Sequence, residues 1–203
     1  MTNSLKSLFL NPAPLDLHEK LHRHACVAVI LRGQKMEDLE VAFIQRAFNP
    51  DDRWSGHIAF PGGKREESDA SDLDAALRET QEEVGLQLSP DELVGRLDDI
   101  QARKSGTMLD FYIRPFVFHI DREFGITLDA SEVADFFWTP LKEILSPHRQ
   151  TFYGVVRDTG GIRLPAVHLD RDPPLWGLTY MMILNLFDRL KLSAYKSSTV
   201  KNL

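Results

Sequence analysis

Apolar runs of strand length recur along the chain at Ala25–Leu31, Leu39–Gln45, His57–Phe60, Leu93–Leu97, Phe111–Ile120 and Phe136–Pro140. Helices are predicted at Leu15–Leu21, Asp72–Val84, Leu141–Leu145 and Trp176–Lys191. The second of these is the best defined. Ser71 stands as an N-cap with Asp74 three residues later, and Gly85 stands where a left-handed residue ends a helix. Within it, Leu73, Ala76, Leu77, Thr80 and Val84 share one arc, and three carboxylates share another turned by about 120°. One face is expected to pack and the other to face a cleft. Helices set among strands too closely spaced for regular crossovers predict an α+β fold, an α-β-α sandwich with a mixed central sheet.

The carboxylates of that second arc carry the chemistry. At about 100° per residue, Glu79, Glu82 and Glu83 fall within an arc of roughly 100°. They follow the glycine pair Gly62-Gly63 and a short acidic arm. Clustered carboxylate oxygens with no Cys or His among them are hard ligands suited to Mg²⁺ or Mn²⁺ rather than Zn²⁺. Such an ion neutralises phosphate charge and activates water, so hydrolysis of a phosphoanhydride is the leading reading. A solvated acidic helix face is the bland alternative. Like charges at i,i+3 and i,i+4 cost a free helix a few tenths of a kcal/mol per pair, a penalty that a cation or a nearby Lys or Arg removes.

Composition narrows the partners. The chain has 203 residues and is 43% apolar, enough for a full core in one domain with short extensions. We read residues 1–23 as an N-terminal extension with a short helix, 24–192 as the domain, and 193–203 as a polar tail. A net charge of −6 and a pI near 5.6 argue against a general nucleic-acid or membrane-surface binder. Any anionic substrate must be drawn by local cations or metal. The single cysteine, Cys26, lies inside an apolar run and reads as a buried strand residue, in keeping with a reducing cytoplasm. Lys6 and the brief run Leu8-Phe9-Leu10, ended by Pro12 and Pro14, are too short for a signal segment. Leu175–Phe187 falls short of the roughly 20 residues a membrane span needs and reads as a buried helix.

The segment Arg78-Glu79-Thr80-Gln81-Glu82-Glu83-Val84-Gly85-Leu86, with the glycine pair and arm before it, resembles the signature of the Nudix hydrolases. Thr80 stands where that signature has a bulky aliphatic. The arm is one residue longer than the common form, so that Asp69 matches the usual arm Glu. Upstream, Arg46, Arg53 and Gly56-His57-Ile58-Ala59-Phe60-Pro61-Gly62-Gly63 are similar to the coenzyme A pyrophosphatase branch of the family. So are Gly95-Arg96-Leu97-Asp98-Asp99, Arg114-Pro115-Phe116-Val117 and Pro174-Leu175-Trp176-Gly177-Leu178-Thr179, and the likeness covers roughly residues 24 to 191. Trp54 is a departure, since the branch usually has His there.

The resemblance implies roles. Glu79 and Glu83 are the expected principal metal ligands, with the Gly63 carbonyl. Glu82 completes the cluster as a ligand or as the base on water. Arg78 is expected to orient a carboxylate rather than to touch substrate. Glu132 resembles an acidic residue of a mobile loop, an extra ligand or general base; the alternative is a helix N-terminal residue after Ser131. Arg46 and Arg53 are assigned to substrate phosphate or to surface ion pairs, and Lys64 and Arg65 to phosphate or to solvent. From their aromatic chemistry, not from the resemblance, Trp54 and Phe60 are assigned to stacking on a nucleobase, with core packing the alternative for Phe60.

The implied reaction is metal-dependent hydrolysis of the pyrophosphate bond in coenzyme A or a derivative. ADP-ribose, a nucleotide sugar or a dinucleotide are the competing small-molecule substrates. A nucleotide-sensing module that has lost catalysis is disfavoured because all three helix carboxylates remain, and removal of RNA caps because no basic tract is present. Many relatives pair, so the resemblance implies a homodimer.

Overall fold

The computed structural model describes residues 1–10, 12–52, 54–104, 107–157 and 160–192. Its centre is an eight-stranded mixed sheet. Strand β1 (His24–Arg32) is apolar along both faces, as a strand covered on both sides must be. One of its edges pairs in parallel with the long strand β7 (Thr107–Ile120), from His24↔Tyr112 to Arg32↔Ile120. The other edge is shared. Its beginning pairs antiparallel with β4 (Gly62–Lys64), and its end with β2 (Glu40–Arg46). Beyond β2 lie β3 (Ile58–Ala59) and β8 (Val133–Pro140). Beyond β7 lie β5 (Leu93–Arg96) and β6 (Ile100–Lys104).

The two faces of the sheet bury separate cores, which makes the three layers anticipated above. Val27, Val29 and Leu31 point to one side and pack with α1 (Thr2–Phe9) and α4 (Gly177–Arg189). Cys26, Ala28 and Ile30 point to the other side, under α2 (Asp72–Val84). The short helix α3 (Leu141–Leu145) follows β8 and buries Leu141 and Ile144 in the first core. A second, three-stranded antiparallel sheet is built from β9 (Gln150–Arg157), β10 (Gly160–Val167) and β11 (Leu175–Trp176). Among the described residues no helix is long and apolar enough to cross a membrane.

Three local expectations are corrected. Leu15–Leu21 is not a helix; the N-terminal helix is α1, which buries Leu5 and Phe9. The backbone N–H groups of Leu15 and Leu17 donate instead to the carboxylates of Asp98 and Asp99, at 2.9 and 2.8 Å. Those acceptors lie far along the chain and keep Leu15 and Leu17 out of a helix, and only a single turn forms at His18–Lys20, where the N–H groups of Lys20 and Leu21 donate to the Leu17 carbonyl at 2.9 Å. Glu132 does not begin a helix; it sits in the turn that opens into β8. The hairpin β9–β10 was not foreseen, because Gly154, Gly160, Gly161 and Pro165 interrupt its apolar alternation. Cys26 is fully buried beside Ala75 and Ala76, and burial pushes its thiol up to about 12.

Candidate metal and active site

The site is assembled where β4 meets α2. Gly62 has φ +141°, and a β-carbon there would come within 2.3 Å of the Cys26 carbonyl oxygen. Only glycine lets this turn lie against β1. At Gly63 the obstacle would be functional, for a β-carbon would sit 2.5 Å from the carboxylate of Glu79. The absence of a side chain at Gly63 therefore brings backbone and carboxylate together.

Helix α2 begins and ends as its sequence dictates. Ser71 accepts the Asp74 amide, and Gly85 adopts the left-handed conformation while its N–H donates to Gln81. The face toward the sheet buries Ala75, Ala76, Thr80 and Val84. Thr80 is fully buried, and its hydroxyl donates to the Ala76 carbonyl at 2.7 Å. That bond within the helix explains how a hydroxyl stands in an apolar position.

The opposite face carries the carboxylates at graded depth. Glu83 is 3% exposed and accepts the Gly62 N–H at 2.8 Å. Burial pushes its pKa up to about 8; Glu79 and Glu132 push the same way, against the Gly62 hydrogen bond and the charge of Arg46. Glu79 is partly buried, and desolvation raises it too, against the opposing charge of Arg78. Glu82 lies at the rim with its side chain 57% exposed.

Arg78 binds this set together. Its Nε and Nη2 donate to the two oxygens of Asp69, each at 3.0 Å, and Nη1 donates to Glu79 at 3.1 Å and Glu82 at 2.8 Å. Nη2 also reaches the Lys64 carbonyl at 3.1 Å. All five guanidinium hydrogens are matched to local acceptors in this way, which is the geometry of an orienting group. Asp69 is buried, and the Arg78 hydrogen bond holds its carboxyl below the usual range. The acidic residue of the lengthened arm thus clamps Arg78.

Other residues singled out by sequence fall into place unevenly. Glu132 is exposed, and its charge acts on both Glu79 and Glu83. Its carbonyl accepts the Ala47 N–H at 2.7 Å, which joins its turn to the segment after β2. Arg46 pairs with Asp52 at 2.7 Å while its charge reaches Glu83, so ion pair and site coincide. Lys64 is exposed at the end of β4. Arg65 is engaged with Asp72 and with the carbonyls of Asp69 and Ala70. Phe60 is corrected: at 3% exposure it stacks on Phe43 at 5.1 Å and belongs to the core, where no substrate ring reaches it. Arg53 lies outside the described residues.

Two constellations escaped the sequence. Trp54 meets His57 at 5.5 Å and Trp176 at 5.9 Å, and Trp176 stacks on Tyr153 at 4.4 Å. The unforeseen second sheet supplies two of those rings, so nothing local signalled the grouping. His24, Cys26 and Asp72 also place potential ligand atoms within 4.8 Å of one another. That group suits a cation poorly. Asp72 Oδ1 takes Arg65 and lies 2.9 Å from His24 Nε2, Oδ2 takes Arg114 at 2.8 Å, and the thiol is held protonated by burial.

The donor set beside Gly63 fits Mg²⁺ or Mn²⁺ better. It is all oxygen, it joins two carboxylates whose charge burial disfavours, and a backbone approach is reserved for it by glycine. The model of the NUDIX domain matches residues 22–158, more than half the chain. The chain belongs to the Nudix family. A Nudix hydrolase of Yersinia enterocolitica, NudL, is 31% identical over 140 residues, 68% of each chain. The mouse peroxisomal coenzyme A diphosphatase NUDT7 is 38% identical over 101 residues, 50% of this chain and 40% of that one. A crystal structure of a MutT/Nudix family protein from Enterococcus faecalis superposes with a TM-score of 0.55 at 18% identity, covering 94% of this chain and 74% of that one. The chain spans less than half the length of several curated relatives it matches, the mouse protein and two from Schizosaccharomyces pombe among them. This Nudix domain thus shares sequence with proteins named Nudix hydrolases and its fold with a solved member of the family.

Proposed function

We propose that this Nudix protein is a divalent-metal-dependent pyrophosphohydrolase that cleaves the diphosphate bridge of a nucleoside diphosphate derivative, coenzyme A foremost. One observation carries the reading: a buried Glu83 and a half-buried Glu79 converge on the glycine turn, held by the Gly62 amide and by Arg78. Glu79, Glu83, Glu82 and the Gly63 carbonyl would hold Mg²⁺ or Mn²⁺, which supplies charge neutralisation at the phosphate and activation of water. Water attacks one phosphorus, the bond from that phosphorus to the bridging oxygen breaks, and two phosphate monoesters leave. Glu82 or Glu132 accepts the proton of the attacking water. Arg78 fixes the orientation of Glu79 and Glu82. Arg46 and Lys64 face phosphate oxygens.

Support for coenzyme A comes from the mouse relative's name and from the upstream run Gly56–Gly63. The products would be 3′,5′-ADP and 4′-phosphopantetheine. With the substrate go the further parts of the proposal: a cytoplasmic protein, no nucleic-acid or membrane partner, a homodimer, and the division into 1–23, 24–192 and 193–203. The test is a metal-dependent product screen over coenzyme A, ADP-ribose, nucleotide sugars and dinucleotides. Release of 3′,5′-ADP from coenzyme A at the highest kcat/KM supports the reading. Preference for another diphosphate replaces the substrate and keeps the reaction, and no hydrolysis of any of them with either metal overturns both.

A further inference from the structure

Trp54, on the segment between β2 and β3, is a large apolar side chain left 43% exposed. It does not stand alone. Behind it Trp176 lies 5.9 Å away at 40°, His57 lies 5.5 Å away edge-on, and Tyr153 stacks on Trp176 at 4.4 Å. Rings at these separations support one another, so Trp54 is held as a rigid face.

The wall is continuous with the carboxylate site. The Arg46 N–H donates to the His57 carbonyl at 3.0 Å, and Ser55 Oγ accepts the Asn49 N–H at 2.7 Å, closing the segment on itself. The guanidinium of Arg46, paired with Asp52, is the same group whose charge reaches Glu83. Asp52 Oδ1 in turn accepts the Trp54 N–H at 2.9 Å. From His57 to Gly62 the chain cannot span more than about 17 Å, the scale of a nucleoside diphosphate. Cation, then aromatic face, is the order of groups that a phosphate followed by a planar base requires.

We propose that Trp54, backed by Trp176 and Tyr153, is the stacking platform for the nucleobase of the substrate. The inference rests on the pyrophosphohydrolase reading and adds a specificity residue to it. Trp176 lies beyond the matched residues 22–158, whereas Trp54, His57 and Tyr153 lie within them. A base laid on Trp54 leaves its diphosphate beside Arg46, and the bond to be cleaved falls toward Glu79 and Glu83. Stacking reads a π-face and no particular hydrogen-bonding edge, so the platform favours any nucleoside over a substrate lacking a ring.

The experiment is calorimetric binding of ADP and of ribose 5-phosphate to the metal-free full chain, wild type against Trp54→Ala and Trp54→Phe, alongside KM and kcat on the preferred substrate. Expected are ADP binding in the wild type, much weaker binding of ribose 5-phosphate, a loss of about tenfold or more in ADP affinity with Trp54→Ala, and recovery with Trp54→Phe. The KM for the nucleoside substrate should rise by a similar factor. ADP affinity equal in wild type and Trp54→Ala overturns the platform, as does a fall in kcat with KM unmoved. Binding is read without turnover, so a hydrolysis failure in the wild type is a separate result that bears on the proposed reaction.

Discussion

The carboxylate of Glu83 accepts the amide of Gly62 at 2.8 Å, a bond that ties the last turn of α2 to the glycine turn twenty-one residues upstream. It fixes one oxygen of the deepest carboxylate, and under the proposed function the other would meet the cation. Glu83→Gln keeps the shape and removes the charge. Turnover should fall by at least about a hundredfold, and Glu82→Gln should do the same if it serves as base or ligand. Near wild-type turnover in a folded variant would remove these residues from the chemistry.

Gly63→Ala tests the close approach. Its methyl would meet the Glu79 carboxylate at 2.5 Å, so Glu79 must swing away from the turn. Divalent-metal affinity should drop by about tenfold or more while the fold persists. Titration with Mn²⁺ followed by electron paramagnetic resonance measures it, and unchanged affinity would show that this carboxylate and backbone do not share an ion.

Arg78→Lys removes the fork that spans Asp69, Glu79 and Glu82 while keeping the charge. A lysine offers no planar pair of donors to the two Asp69 oxygens. Activity should fall about 10- to 100-fold, the range seen when groups supporting metal ligands are lost. Equal activity in wild type and variant would reduce Arg78 to a surface ion pair.

Stability should depend on pH and metal together. Burial lifts Glu83 to about 8, above its unfolded value near 4.3. Between those values the native state holds a proton that the unfolded chain has released. Its contribution to the metal-free protein is therefore full below about pH 4.3 and lost as pH rises through about 8, an effect of a few kcal/mol. Glu79 adds in the same direction, whereas Asp69 favours the native state at higher pH and loses its contribution as pH falls. Thermal melts in chelator should show a decline from about pH 5 to pH 8.5, and Mn²⁺ should raise Tm more at the alkaline end. A flat chelated profile would refute the burial argument.

What could be read from sequence followed the range of the interactions. Helix α2 was legible to the residue because Ser71, the two apolar and acidic arcs and Gly85 are local signals. Its carboxylates were legible for the same reason. Strand β4 was not, since Gly62, Gly63 and Lys64 form a strand only through pairing with Ala25–Val27. The segment Leu15–Leu21 misled because its backbone is claimed by Asp98 and Asp99. Phe60 and Trp54 are both aromatic residues near the glycine turn, and only the packing of Phe43 and of Trp176 separates a core ring from an exposed one.

Strand β1 draws its partners from opposite ends of the domain, β7 eighty-eight positions later on one edge and β4 on the other. Contacts of such long sequence separation form late, after local helices have had time to appear. During synthesis β1, β4 and α2 are all made before β7 exists, so Gly62 and Gly63 have their pairing partners Cys26 and Val27 in the chain while the other edge of β1 is still unpaired. A nascent chain that ends before β7 would therefore carry the candidate ligands on an unfinished sheet, and under the proposed function competence to hydrolyse would arrive only with the parallel pairing of β1 and β7.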